Sequence, residues 1–251
     1  DVTISGTAEQ GQTLTAGNTL ADADGLGTLS YVWKADGTTI GGATASTYVL
    51  TQAEVGKAVS VTVSYTDGYG AHESVASAAT ASVANVDDVA TGTLTTGGAV
   101  AEGGTVTSTL TATDLDGSFT AACQWQISDN GTSGWTDIVS ATTDSYTIAS
   151  DQSQVGKYLR VVGTTTDILG GTTTFTSAST AAITNVDDIA TGTLTTGGTV
   201  AEGGTVTSTL TATDADGTIT TTAYQWQISD NGTDGWTDIA SATTDSYTIA
   251  S

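Results

Sequence analysis

The chain has 251 residues, and four Lys and Arg stand against 27 Asp and Glu for a formal net charge of −23. That balance excludes a nucleic-acid partner, because no basic stripe is present to displace counterions from phosphates. With one Cys, no Met, no Pro and no apolar run of the roughly 18 residues a membrane helix needs, the chain is neither a helical membrane span nor a disulfide-stapled domain.

Read from the N-terminus, the first 88 residues are short strands separated by turns. Glu9 falls in the turn after the first strand, and Asp22-Ala23-Asp24-Gly25 is a turn signal. Trp33 marks a core strand. Thr51–Lys57 predicts a single helical turn between two strands, after which Val59, Val61 and Val63 alternate with polar residues as a half-buried strand does. Thr66-Asp67 begins another turn, and Asn85–Asp88 (NVDD) closes the stretch. The same plan then returns as Glu102, a strand through Val106, Ser108, Leu110 and Ala112, the turn Asp114-Leu115-Asp116-Gly117, Trp125, a second helical turn at Asp151–Lys157, Thr166-Asp167, and NVDD at Asn185–Asp188. ATGTLTTGG, AEGGTVTSTLTATD and QWQISDNGT recur from Ala190, Ala201 and Gln225, so the period is about 100 residues, lengthened by one after Asp216.

Three copies result: 1–88, 89–188 and 189–251, the third lacking counterparts of its last two strands. The sequence opens without Met or a leader, and Ser251 corresponds to Ser150. This predicts a piece of something longer, continuing with text close to Asp151–Asp188. Seven or so strands per copy, turns every 8 to 12 residues or so and a central Trp predict an all-β chain of tandem immunoglobulin-like β-sandwich repeats. The inter-sheet disulfide of that fold is missing. Cys123 is alone and is replaced by Tyr31 and Tyr224 in the other copies, so packing around Trp33, Trp125 and Trp226 must hold the core. Each such ring removes roughly 150 to 250 Å² from water.

The combination of AExG, DxDG, a core Trp, YxLTxAxVGK, TDxxG and the NVDD junction resembles the immunoglobulin-like and cadherin-like tandem repeats of large secreted bacterial surface proteins, type I secreted adhesins included. The resemblance spans the chain. It implies an extracellular, cell-surface spacer that binds calcium at its junctions and holds an adhesive or anchoring module away from the cell. One departure is that Val89 and Ile189 stand where such junctions carry Pro.

In a sandwich of this topology the loop after the second strand and the loop between the last two strands return to one end, beside the incoming linker. The first junction is therefore expected to gather Glu9, Asn85, Asp87, Asp88, Asp114, Asp116 and Asp167, and the second Glu102, Asn185, Asp187, Asp188, Asp214 and Asp216. So many converging carboxylates repel unless a cation joins them, and an all-oxygen set without His or Cys selects calcium. The competing reading makes DxDG an Asx turn with Gly at positive φ and the acids a solvated face. An EF-hand fails on spacing, since position 12 counted from Asp114 is Trp125.

An enzyme is not expected. His72 is the sole His and reads as a surface residue, and acids repeated in every copy are scaffold features. Cys123 reads as a small buried hydrophobe. Trp135 and Trp236, each after an SDNGT loop, offer flat faces, and a glycan-binding module built on them is the alternative to the spacer. Another alternative is a self-assembling fibre subunit, its open edge completed by strands from another chain. Asn130 and Asn231 fit a glycosylation sequon and also plain turns. The Thr-rich stretch Thr172–Thr180 fits O-linked sugar, an ice-binding face, or strand propensity alone. The expected partners are neighbouring repeats of the same or an identical chain, with surface glycans on the alternative reading.

Overall fold

The structure, a computed structural model, describes residues 1–251 and is all-β apart from a single 3₁₀ turn. In the first copy the strands are β1 (Val2–Ser5), β2 (Thr13–Asn18), β3 (Ser30–Ala35), β4 (Thr38–Thr39), β5 (Thr47–Val49), β6 (Val59–Thr66) and β7 (His72–Ala76). They form two antiparallel sheets, ordered β1-β2-β5 and β4-β3-β6-β7. Alternation decides which face is buried: Val59, Val61 and Val63 are fully buried, and the intervening residues of β6 are half-exposed. These valines and Trp33 from one sheet pack against Val2, Leu14 and Ala16 from the other, which makes the sandwich. Trp33 has no exposed surface. Its Nε1 donates to the Ala45 carbonyl at 2.9 Å, and its ring centroid lies 6.1 Å from that of Tyr48. A ring with its N–H satisfied and an aromatic neighbour stabilises a core without a disulfide.

The second copy repeats the plan with β8 (Thr91–Gly98), β9 (Thr105–Thr113), β10 (Phe119–Ser128), β11 (Thr136–Asp137), β12 (Ser145–Thr147), β13 (Tyr158–Asp167) and β14 (Thr172–Thr176). Its sheets are ordered β12-β9-β8 and β11-β10-β13-β14. Residues 189–251 supply β15 (Thr191–Gly198), β16 (Thr205–Thr213), β17 (Gln227–Ile228), β18 (Thr237–Asp238) and β19 (Ser246–Thr248). There Trp226 keeps the same bond, Nε1 to the Thr244 carbonyl at 3.0 Å, but is half-buried, whereas Trp125 is fully buried. The expected helical turn forms once: Gln52–Glu54 is a 3₁₀ turn with a capping box between Thr51 and Glu54. At Asp151–Lys157 the chain makes turns only, with Gln152 in the left-handed region at φ 51°.

The chain divides into two compact units. One comprises Asp1–Thr93, Leu110–Ala122 and Gly163–Phe175; the other comprises Leu94–Thr109, Cys123–Val162 and Thr176–Ser251. Asn85–Asp88 with the Asp114–Asp116 turn and Asp167 lies wholly in the first. Glu102, Gln152, Asn185–Asp188 and the Asp214–Asp216 turn lie wholly in the second.

Candidate metal centres

The DxDG turns of the second and third copies divide the labour between their two aspartates, and the first copy keeps the turn half of it. The first builds the turn: Asp22, Asp114 and Asp214 accept from the backbone N–H two residues on, at 2.8, 2.9 and 2.9 Å. These are Asx turns, and the following Gly25, Gly117 and Gly217 have positive φ as the turn demands. The second aspartate catches the linker. Asp116 Oδ1 accepts from Asn85 Nδ2 at 2.7 Å and its Oδ2 accepts from the Asp88 N–H at 2.6 Å. Asp216 repeats both bonds with Asn185 and Asp188, each at 2.6 Å. Turn and ligand readings of this motif are thus compatible, carried by different residues.

In the first seam, one carboxylate oxygen each from Asp87, Asp116 and Asp167 lies within 4.8 Å of the other two. Asp116 is buried. Asp87 and Asp167 lie against one another, and their carboxyls are pushed in opposite directions. The hydrogen bond to Asp167, then burial, holds the Asp87 carboxyl above its ordinary value. Burial pushes Asp167 up as well, but the N–H groups of Leu169 and Gly171 outweigh it and leave that carboxyl low. Gly171 makes room for the pair: a Cβ at this position would run into the carboxylates of both Asp87 and Asp167. The Asn85 Oδ1 is buried with no hydrogen-bond partner.

In the second seam, Glu102, Asp188 and Asp216 likewise bring carboxylate oxygens within 4.8 Å of one another. Glu102 is buried and accepts from the Gln152 N–H at 3.0 Å, from Gln152 Nε2 at 3.1 Å and from the Val186 N–H at 3.3 Å. Gln152 Nε2 also donates to Asp216 at 2.7 Å. The Asn185 amide, then the Asp188 N–H, holds the Asp216 carboxyl below its ordinary value, with the Gln152 amide adding to them. Asp188 Oδ2 is buried without a partner.

At the first seam the structure brings Asp87, Asp116 and Asp167 together and ties Asn85 and Asp88 to Asp116; at the second it brings Glu102, Asp188 and Asp216 together and ties Asn185 to Asp216, with Asp187 beside it, while Asp114 and Asp214 serve their own turns. It places Glu9 differently. Gln10, not Glu9, pairs its N–H with the Ala84 carbonyl as Glu102 does with Thr184, and Gln10 meets the linker, donating to Asp88 Oδ2 at 2.7 Å. The one-residue shift follows from the turn: Gly11 and Gly103 both sit at positive φ, so the residue before each glycine faces the seam. Sequence reasoning also missed Gln152, Gly171 and a third acidic group, in which Asp22, Asp67 and Glu73 approach within 4.8 Å. There the Tyr65 hydroxyl lies 2.8 Å from Glu73 and 3.1 Å from Asp22, and the bond to Glu73, then burial, raises the phenol.

No ion pair joins a Lys or Arg to any of these acidic groups. Lys57 donates to the Ala53 carbonyl, Lys157 pairs with Asp129 at 3.6 Å, and Arg160 stacks 4.5 Å over Trp135 and bonds Gln126. The last contact covers one face of the Trp135 indole, whereas Trp236 is half exposed. His72 opens β7 with its Nδ1 2.8 Å from the Thr66 hydroxyl. Cys123 is half-buried on β10, where burial, then Asp144, raises its thiol.

No known protein family matches this sequence, and no curated protein does. Among solved structures, the chain is similar to a Ca²⁺-stabilised adhesin described as helping an Antarctic bacterium reach out and bind ice, at 17% identity over 84% of this chain and 57% of that one, TM-score 0.31. It is also similar to the FN1–FN3 domains of chicken CNTN1, at 10% identity over 99% of this chain and 87% of that one, TM-score 0.28. A third similarity is to a tetra-tandem repeat in the extending region of a large adhesion protein, at 19% identity over 99% of this chain and 65% of that one, TM-score 0.25. The chain spans less than two thirds of either adhesin structure. The chain is all-β, and each of its two compact units carries at least one group of three carboxylates with neither His nor Cys among them.

Proposed function

We propose that this chain is a non-enzymatic extracellular spacer of a bacterial adhesin or surface filament, stiffened by calcium at its seams. The observation that carries the reading is the doubled network: in both seams the linker is tied to the second DxDG aspartate while a fully buried oxygen, Asn85 Oδ1 or Asp188 Oδ2, has no donor. Buried acceptors cost free energy unless a donor or cation reaches them. The donor set fits a hard cation, all oxygen with carboxylates in excess, and the basic residues lie elsewhere. Asp87, Asp116, Asp167 and Asn85 would hold the ion in the first seam, and Glu102, Asp188 and Asp216 in the second. When bound, calcium supplies the positive charge these carboxylates lack; extracellular modules of this kind work at dissociation constants of about 10⁻⁴ to 10⁻³ M. No helix is long and apolar enough to cross a membrane. Division into copies at 1–88, 89–188 and 189–251 belongs to the same proposal. Small-angle scattering in calcium and in chelator tests it: calcium is expected to narrow the distribution of dimensions and set a longer maximum, and identical curves would refute the switch.

A further inference from the structure

Glycine follows asparagine at Asn130-Gly131 and at Asn231-Gly232. This pairing is prone to deamidation, because a residue without Cβ lets its backbone nitrogen reach the neighbouring carboxamide. The reaction needs only water. The Gly131 nitrogen gives its proton to solvent and bonds to Asn130 Cγ, and the Cγ–Nδ2 bond breaks as Nδ2 leaves with a proton as ammonia. Water then opens the succinimide at either carbonyl, leaving aspartate or isoaspartate.

The fold ties each reacting group of Asn130 and Gly131. Asn130 Oδ1 accepts from the N–H groups of Thr132 and Ser133 at 2.9 and 2.8 Å and from the Thr132 hydroxyl at 3.0 Å, and Nδ2 donates to Ser133 Oγ at 3.0 Å. The nucleophile is tied as well. Ser128 Oγ accepts from the Gly131 and Asn130 N–H groups, each at 3.2 Å, and donates to the Ser133 carbonyl at 2.5 Å. Ser128 is only 3% exposed, which keeps water from replacing these bonds. Gly131 lies against the Tyr158 ring, where even a Cβ would come within 2.8 Å, and Trp135 is held under Arg160. The loop therefore has no room to shift as a body. Closing the succinimide turns the Asn130 side chain and the Asn130–Gly131 peptide together, and so breaks the bonds to Oδ1 and to the Gly131 N–H. The same bonds recur around Asn231, from Ser229, Thr233 and Asp234.

We propose that Asn130 is a modification site closed by the fold: it deamidates only when the Ser128–Trp135 loop opens, and the product then hinders the loop from closing. Aspartate lacks the Nδ2 donor to Ser133, and isoaspartate also lengthens the backbone within the turn. The modification is a lasting mark of a second copy that has opened, made without an enzyme and independent of any calcium at the seams.

The full chain tests this. Wild type, Ser128→Ala and Thr132→Val are kept for weeks at mildly alkaline pH, both folded and in denaturing urea, and aspartate and isoaspartate at Asn130 are quantified by peptide mapping. Folded wild type is expected to convert at least about tenfold more slowly than the same chain in urea, since a protected group reacts through its open state. Each folded variant should convert about fivefold faster than folded wild type, as the loss of one hydrogen bond implies, while all three match in urea. Circular dichroism identifies the folded variants. Thr132→Val removes one donor and leaves Ser128 in place, so it carries the test if Ser128→Ala does not fold. Equal rates for folded and unfolded wild type would overturn the closure, and a folded Thr132→Val as slow as wild type would overturn the part given to these bonds.

Discussion

Replacing Asp116 by Ala isolates the clamp of the first seam. Asp116 is 8% exposed and accepts two short bonds, from the Asn85 amide at 2.7 Å and from the Asp88 N–H at 2.6 Å. Hydrogen bonds to a charged acceptor contribute about 1.5 to 3 kcal/mol each, and truncation also leaves the two donors without their partner. Against this, removing one carboxylate relieves the repulsion from Asp87 and Asp167. The balance in chelator is a loss of about 2 to 3 kcal/mol, which at about 1.4 kcal/mol per factor of ten is a 30- to 150-fold fall in protection of the Asp88 amide against hydrogen exchange. Calcium at 10 mM adds about 1.4 to 2.7 kcal/mol to wild type for dissociation constants of about 10⁻³ to 10⁻⁴ M, and the variant forfeits that as well. The difference between the proteins must therefore widen when calcium is supplied. Equal protection at Asp88 in the two proteins would refute the clamp, and a difference that is the same with and without calcium would refute the ion.

The pH dependence in chelator should begin differently at the two seams, since the first holds one carboxyl high (Asp87) beside one held low (Asp167) and the second holds Asp216 low. A carboxyl held high in the fold, as Asp87 is, contributes stability that is present below its unfolded value and lost as pH rises through the folded one; a carboxyl held low, as Asp216 is, contributes stability that is lost as pH falls through its folded value. On acidification from neutrality, protection of the Asp88 amide is expected to rise before the ordinary carboxylate range is reached, and protection of the Asp188 amide to fall only below it. Asp87→Asn should abolish the rise, and a rise that persists in that variant refutes its assignment to Asp87. Gly171→Ala drives a Cβ into the Asp87 and Asp167 carboxylates and is expected to cost about 1 to 3 kcal/mol in thermal unfolding, while Ala71→Gly at the corresponding turn of the first copy costs at most about 1 kcal/mol.

What the sequence carried most clearly was everything governed by period and by turn chemistry. Alternation in β6 and β9, a tryptophan in each copy and DxDG followed by positive-φ glycine are local signals, and each appears in the fold at its place. The convergence of NVDD with the second DxDG aspartate was also legible, because topology alone returns those loops to one end. The register of the turn before the seam was not. The strings around Glu9 and Glu102 both spell Ala-Glu, and aligning by letters pairs them; aligning by conformation pairs Gly11 with Gly103 and so Gln10 with Glu102. Gln152 was hidden for a related reason, since its reach to Glu102 and Asp216 depends on a left-handed backbone at a non-glycine residue, which no propensity signals. Gly171 had a faint signal, a second glycine in DILGG where the first copy has Ala71, whose meaning appears only once Asp87 is known to lie against it.

The end of the first copy gathers a different set of acids and meets them with a different neighbour. Tyr65 and Glu73 occupy the places that Thr165 and Thr173 hold in the second copy, where Thr173 accepts from the Ala90 N–H at 3.0 Å and Thr165 is buried. At the second copy, then, the strand ends are neutral hydroxyls and the carboxylates are met by the linker's Asn85 and Asp88. At the first copy the phenol of Tyr65 meets Asp22 and Glu73 instead. A phenol carries one hydrogen and can satisfy one of its two carboxylates at a time, so this group keeps more uncompensated charge than a seam whose linker delivers two separate donors. Only Asp67 and Asp167 correspond between the two groups, so the acids change from copy to copy, and the element brought against them, a linker amide or a phenol, decides which donors they meet.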